Sequence, residues 1–203
     1  MPFIVEMTTN APHFIIGDMS DFEKKVPDMR RRADISGVFR NDGQLLDPEE
    51  TPEHLVLHRR GKAPPRDIFK THGGAMVASD RLRLLMEEMD PGCHQFLPIS
   101  IDNRPEFEPR YILNVHATKD TIIDDQSDVK PSWHTTGREK MHFTFPAHLK
   151  GPVQIAFSPA AMNGPHVWRE RRYASSLIIS DAFEAALREG KLAFFPLRKA
   201  QGN

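Results

Sequence analysis

The chain has 203 residues, 27 basic and 28 acidic side chains and a formal net charge of −1, with a hydrophobic fraction of 39%, enough to build a core without disulfides or a structural metal. Its single cysteine, Cys93, excludes an intrachain disulfide and every multi-cysteine zinc pattern, and no run approaches the ~18 apolar residues of a membrane helix. The opening Met1-Pro2-Phe3-Ile4-Val5-Glu6 does not read as a secretion signal, and balanced charge argues against wrapping nucleic acid, so a soluble protein of the reducing cytoplasm is expected, with no nucleic-acid or membrane partner.

The 17 prolines each fix φ and remove a backbone donor, which favours short strands, turns and short helices. Phe3-Ile4-Val5 and Phe14-Ile15-Ile16 are β-prone runs bounded by proline, asparagine or glycine. Charge dominates from Asp18 to Arg32, ending in the basic knot Arg30-Arg31-Arg32, and Asn41-Asp42-Gly43 is a turn signal. Asp47 to Pro52 and Gly61 to Pro65 read as loops on either side of His54-Leu55-Val56-Leu57-His58. Composition places a soft boundary there: residues 1–65 form an irregular N-terminal region packed on a main domain of residues 66–203.

Beyond that boundary the signals sharpen. Ser79 is a good helix N-cap, and Asp80 favours the positive end of the helix dipole. Leu82, Leu85, Met86 and Met89 then fall on one apolar stripe, Pro91-Gly92 stops the helix, and Gln95-Phe96-Leu97-Pro98-Ile99 reads as a strand. Tyr111, Leu113, Val115 and Ala117 alternate with Ile112, Asn114, His116 and Thr118, which puts two mixed faces on one strand. Asp120 to Lys130 reads as a surface loop. Met141, Phe143 and Phe145, and then Val153, Ile155 and Phe157, alternate as half-buried strands.

Near the C-terminus the same grammar returns. Leu177-Ile178-Ile179 leads into the cap Ser180-Asp181, Phe183, Ala186 and Leu187 supply the stripe, and Gly190 is placed to end the helix in a left-handed conformation. Leu192 to Leu197 closes the unit, with Pro196 matching Pro98. The expected fold is therefore α+β, an antiparallel or mixed sheet with a few short helices, containing a strand, a Ser-Asp-capped helix and a strand used twice.

Several constellations invite a chemical reading. His116-Ala117-Thr118 and His142-Phe143-Thr144 are His-x-Thr pairs that would each share one face of a strand, and two such pairs resemble the motifs of two-histidine phosphoesterases. Their spacing is short for that superfamily, whose motifs lie on distant lobes. His54 and His58 would share a face of a helix and chelate a metal, or stand as outward polar residues of a strand. Cys93 and His94 are neighbours, which on a strand point to opposite sides, so Cys93 reads as a small core residue. Asp102, Asp120, Asp124, Asp125 and Asp128 lack a calcium-loop spacing. Arg30-Arg31-Arg32 and Arg169-Glu170-Arg171-Arg172 read as solvated faces, or as a site for an acidic partner. Gly73-Gly74 lacks the lysine of a phosphate loop and reads as conformational. No catalytic, cofactor or metal residue emerges from these patterns.

Val77-Ala78-Ser79-Asp80-Arg81-Leu82, Gly92-Cys93-His94-Gln95-Phe96-Leu97-Pro98-Ile99, Tyr111-Ile112-Leu113-Asn114-Val115 and Leu177-Ile178-Ile179-Ser180-Asp181 through Phe194-Phe195-Pro196-Leu197, in that order, resemble a family of bacterial polymorphic-toxin immunity proteins. It is the eleventh immunity family, formerly catalogued as a domain of unknown function. The resemblance covers residues 66–199 and rests on scaffold positions. It implies a cytoplasmic antidote, made beside a secreted or contact-delivered toxin, that binds its cognate toxin protein and blocks the toxin's active site, with no cofactor and no catalytic residues to carry over. By residue type, Trp133, Trp168, Arg169, Arg171 and Arg172 are the anchors such an interface would use. The competing expectations are a small phosphoesterase using His116 and His142, and an adaptor encoded with a secretion system.

Overall fold

Short runs of two to eight residues, most of them apolar, become strands, and the two serine-capped stripes become helices. The computed structural model describes residues 2–6, 14–15, 17–39, 44–58, 65–107, 109–128 and 154–200. In chain order the first elements are strands β1 (Phe3–Val5), β2 (Phe14–Ile15) and β3 (Gly17–Met19), helices α1 (Phe22–Lys25) and α2 (Met29–Gly37), and strands β4 (His54–Leu57), β5 (Ile68–Thr71) and β6 (Met76–Ser79). Helix α3 (Asp80–Met89) follows, then β7 (His94–Ile101), β8 (Arg110–Val115), β9 (Thr118–Lys119) and β10 (Ile122–Ile123). The chain ends with β11 (Ala156–Phe157), β12 (Val167–Glu170), β13 (Tyr173–Ile179), helix α4 (Asp181–Glu189) and β14 (Leu197–Lys199). The turn expected at Asn41-Asp42-Gly43 and the strand expected at Met141, Phe143 and Phe145 lie outside the described residues.

Among the described residues the strands form a seven-stranded sheet in the order β2-β5-β6-β8-β7-β4-β3, a five-stranded sheet in the order β14-β1-β13-β12-β9, and the pair β10-β11. Both larger sheets are mixed, since β2 runs parallel to β5, β4 to β7 and β9 to β12 while their other neighbours are antiparallel. The result is the expected α+β class. Residues before position 65 supply β2, β3 and β4 to the first sheet and place β1 between β13 and β14 in the second.

The edges of the seven-stranded sheet meet. Ile15 pairs with Thr71 on β5 and Gly17 with Leu57 on β4, and residues two apart can be separated by at most ~7 Å. The sheet therefore curls on itself, and a Cβ at Gly17 would stand 2.9 Å from the Val56 carbonyl oxygen, so the corner closes only around a glycine.

Alternation along the strands separates two cores. Leu55, Leu57, Phe69, Val77, Leu97, Ile99, Ile101 and Ile112 fill the inside of the curled sheet together with Ile35 and Phe39. Ile68, Met76, Ala78, Leu113 and Val115 face outward and pack against Leu82 and Met86 of α3, Phe183 and Leu187 of α4, and Val5, Val167, Leu177 and Ile179 of the second sheet. Strand β8 is thus buried on both faces. On the far side of the second sheet, Trp168 and Ile178 pack with Ala161.

The repeated unit is present with one topology. In the first copy β6 and β7 are both antiparallel to β8, which lies between them. In the second copy β13 and β14 are both antiparallel to β1, which lies between them. Each helix therefore connects two strands that flank an intervening strand of opposite direction. Ser79 accepts from the Leu82 amide and Ser180 from the Phe183 amide, both with φ −74° and ψ 162°.

The ends of the two copies differ from the sequence expectation. Pro98 lies inside β7, tolerated because β4 pairs with β7 only from Ser100 onward, leaving one side of the strand open there. Residues 192–196 are irregular, and the closing strand starts at Leu197. Phe194 and Phe195 explain the shift: both rings enter the same core, Phe194 meeting Phe183 at 6.1 Å and Phe195 at 5.7 Å, which alternating strand geometry forbids for consecutive residues. Gly190 is right-handed with φ −70°, and the left-handed residue is Lys191 at φ 51°. The segment expected as a loop from Asp120 contains β10, whose Ile122 is buried against the β11 pairing.

Candidate interaction surface

The two copies are held together by buried polar groups. Asp90, the C-cap of α3, accepts from the amides of His166 at 2.7 Å and Val167 at 2.9 Å and lies 3.2 Å from His94 Nε2. His166 in turn shares a 2.8 Å hydrogen bond with the Ser180 hydroxyl that caps α4. At the other end Asp67 accepts from the Ser79 hydroxyl at 2.8 Å and from the Ala193 amide at 2.8 Å, and Arg81 donates to the Gly190 carbonyl at 2.6 Å. Each copy thereby ties the start of its capped helix to the segment at the end of the other copy's helix.

This network accounts for Cys93 and His94. His94 turns to Asp90, while Cys93 is half-buried with its sulfur 3.8 Å from the Pro91 carbonyl. Burial and the nearby Asp90 carboxylate push the thiol's pKa up, the opposite of an activated nucleophile. Lys119 donates to the carbonyls of Ala161 at 3.1 Å and Pro165 at 2.6 Å, with its ammonium 4.1 Å from the Trp168 ring centroid.

The cluster Arg169-Glu170-Arg171-Arg172 is not a solvated face, because β12 is buried on both sides. Arg169 is 1% exposed and donates to the Val115 carbonyl at 3.1 Å. Glu170 is fully buried and accepts from the Thr121 amide at 2.9 Å and hydroxyl at 2.6 Å. Burial drives its pKa up, opposed by those Thr121 donors. Arg172 pairs with Asp120 at 2.7 Å and with Asp124, so its carboxylate partners lie within the chain. The first basic knot also folds locally: Asp28 accepts from the amides of Arg30 and Arg31 to start α2, and the Arg31 fork clasps Glu50.

The second set is exposed. His54 opens β4 and His58 follows its last residue, both exposed, while Leu55 and Leu57 face in, so the strand reading of that run holds and an extended chain of this length sets the two histidines ~13 Å apart. His54 Nδ1 donates to Asp102 Oδ1 at 2.8 Å, and the Ser20 hydroxyl reaches Asp102 Oδ2 at 3.4 Å. The Asp102 hydrogen bond raises the imidazole's pKa. His58 Nε2 lies 3.1 Å from Asp18 Oδ2 on β3. Asp21 accepts from the Glu53 and His54 amides at 2.9 and 3.2 Å, and Lys25 pairs with Glu53 at 2.6 Å.

These groups lie on the outward side of the curled sheet. Register pairs Tyr111 with Pro98, Ser100 with His54 and Val56 with Asp18. Phe96 meets Tyr111 edge-on at 6.5 Å, and the Arg83 guanidinium sits 4.9 Å from the Tyr111 ring centroid. Arg83 is also matched by Asp80 at 2.8 Å and by Glu87.

Among the described residues no three His, Cys, Asp or Glu side chains are grouped to hold a metal ion, and no helix is long and apolar enough to cross a membrane. His116 and Thr118 are exposed where β8 gives way to β9, and the Thr118 hydroxyl donates to the His116 carbonyl at 3.3 Å. His142 lies outside the described residues. Gly73-Gly74 forms the β5–β6 turn, with Gly74 at φ 97°.

The family model for the Immunity protein family (Imm11) matches residues 11–202. The chain belongs to this immunity family. Immunity proteins act against toxins, so a toxin is the class of partner that membership implies. The match reaches beyond the resemblance at residues 66–199 and takes in β2, β3 and β4, the strands that complete the curled sheet. No protein with a curated description matches the chain.

For an immunity protein, the anchors suggested by residue type are redistributed by the fold. Trp168 and Arg169 are core residues, Arg172 is held by its own acids, and Arg171 alone of that cluster is exposed. Trp133 lies outside the described residues. The face carrying Tyr111, Pro98 and His54 was not legible as a surface, because its members are drawn from segments that only the strand order brings together.

Proposed function

We propose that this immunity protein neutralises a cognate toxin by binding it directly and occluding its active site, in the cytoplasm of the cell that makes both. Family membership across residues 11–202 carries the reading. Occlusion requires a shaped surface and no reactive group, and the groups that drew attention in the sequence have other work: His94 is paired with Asp90, burial pushes the Cys93 thiol's pKa up, and Arg172 is matched by Asp120 and Asp124. The protein acts by protein–protein contact, without catalysis, cofactor or metal. Co-expression with the product of the neighbouring gene tests the reading: cells carrying both should grow, and cells carrying the neighbour alone should not. A neighbour that is harmless alone, or equally toxic with this protein present, overturns it.

A further inference from the structure

The asparagines among the described residues are Asn103, Asn114 and Asn163, and their surroundings differ. Both ends of the Asn103 carboxamide are taken by Leu57, whose amide reaches Oδ1 at 3.1 Å and whose carbonyl accepts from Nδ2 at 2.7 Å. The amide that follows, that of Arg104, donates to the Ile101 carbonyl at 2.9 Å. Asn114 is 1% exposed within β8, and its Nδ2 donates to the Gln44 carbonyl at 2.6 Å. Asn163 is exposed, and among the described residues neither its side chain nor the Gly164 amide makes a hydrogen bond. It is also the one asparagine of the chain followed by glycine. Gly164 adopts φ 80°, a conformation that a side chain resists, so the turn itself requires glycine there. The ends of this turn are fixed: Lys119 donates to the carbonyls of Ala161 and Pro165, and Asp90 holds the amides of His166 and Val167.

An asparagine carboxamide is open to attack by the backbone nitrogen of the next residue, provided that nitrogen is unbonded and unshielded. Glycine, lacking a Cβ, leaves the approach clear. We infer that Asn163-Gly164 is a site of spontaneous deamidation whose isoaspartate product loosens the junction at Asp90. The Gly164 nitrogen bonds to Asn163 Cγ, and the carboxamide nitrogen leaves as ammonia, carrying the proton of the Gly164 amide. Water then opens the cyclic imide. Breaking the bond from Cγ to the Gly164 nitrogen gives aspartate; breaking the bond from the main-chain carbonyl carbon gives isoaspartate, whose main chain is longer by the side-chain methylene. Overall, asparagine and water become aspartate or isoaspartate and ammonia, with no other reactant. Either product adds a negative charge to a chain of net charge −1. Isoaspartate also lengthens the chain between two carbonyls held by one ammonium, and just before the His166 amide that Asp90 holds at 2.7 Å. Such bonds weaken steeply when distance and angle change, so the added length is taken up at the Lys119 and Asp90 contacts.

The test is incubation of the full-length protein in mildly alkaline buffer at physiological temperature. Peptide mapping by mass spectrometry and labelling by an isoaspartyl methyltransferase locate the product, and amide hydrogen exchange compares fresh protein with the isolated isoaspartate form. Position 163 should convert about tenfold faster than Asn103 and Asn114, whose hydrogen bonds must open first. The amides of His166 and Val167 should exchange about tenfold faster in the isoaspartate form, since their bonds to Asp90 are weakened. Asn163→Ala, on an exposed side chain, should take no label at this position and keep slow exchange after the same incubation. No conversion at position 163, or conversion no faster than at Asn103 and Asn114, would overturn the site. Conversion that leaves the exchange of His166 and Val167 unchanged would overturn its effect on the junction.

Discussion

A single carboxylate, that of Asp90, accepts two backbone amides from the start of β12 and faces His94, in a setting where its side chain and that of His94 are each 1% exposed. Replacing it with alanine strands those donors in the interior, and Asp90→Ala should cost about 3 kcal/mol in urea unfolding. Burial acts to raise its pKa, but the His94 contact and the two amides outweigh it and hold the pKa below the ordinary value. Its contribution is therefore complete above the unfolded carboxylate value of about 4 and is lost as pH falls through the lower folded value. Glu170 has the opposite sign. With its pKa raised by burial, it is a source of instability that grows as pH rises above the ordinary glutamate range and is full beyond the folded value. Glu170→Gln should fold and should show a flatter stability profile between about pH 4 and neutrality than the wild type; an unchanged slope would remove Glu170 from that role. Neither residue was legible in the sequence. Asp90 acts on partners 76 and 77 residues away, and Glu170 sat in a run whose charge pointed outward until pairing on both sides of β12 buried it.

At the scale of elements, local information carried far. The caps at Ser79 and Ser180, the apolar stripes after them and the strands at Phe3–Val5 and His54–Leu57 depend on neighbours within a few residues, and each forms as its sequence indicates. What failed was the exit from α4. A glycine three residues after Leu187 pointed to a left-handed stop, but the turn places Lys191 at φ 51° and leaves Gly190 right-handed. A side chain at positive φ is strained, so Lys191→Gly should raise stability by about 0.5–1 kcal/mol. An unchanged or lower unfolding midpoint would show that the lysine side chain compensates for its backbone. The exit after α4 is decided by Phe194 and Phe195 seeking one core, a tertiary demand that no periodicity announces.

At the scale of the molecule, the chain pairs two copies of one strand–helix–strand unit and closes one of its sheets through Gly17. Duplication was readable because each copy carries the same cap and stripe; the strand inserted into each copy, β8 in one and β1 in the other, was not, since β1 arrives from the opposite end of the sequence. Family membership makes an immunity role the context for this fold, and the proposal to be tested is that the protein silences its toxin by covering the toxin's active site. The most direct measurement is the catalytic activity of the purified toxin as this protein is titrated in, with complex formation followed in the same samples. Activity should fall in proportion to the complex formed and disappear at saturation. A saturated complex in which the toxin retains full activity would contradict it.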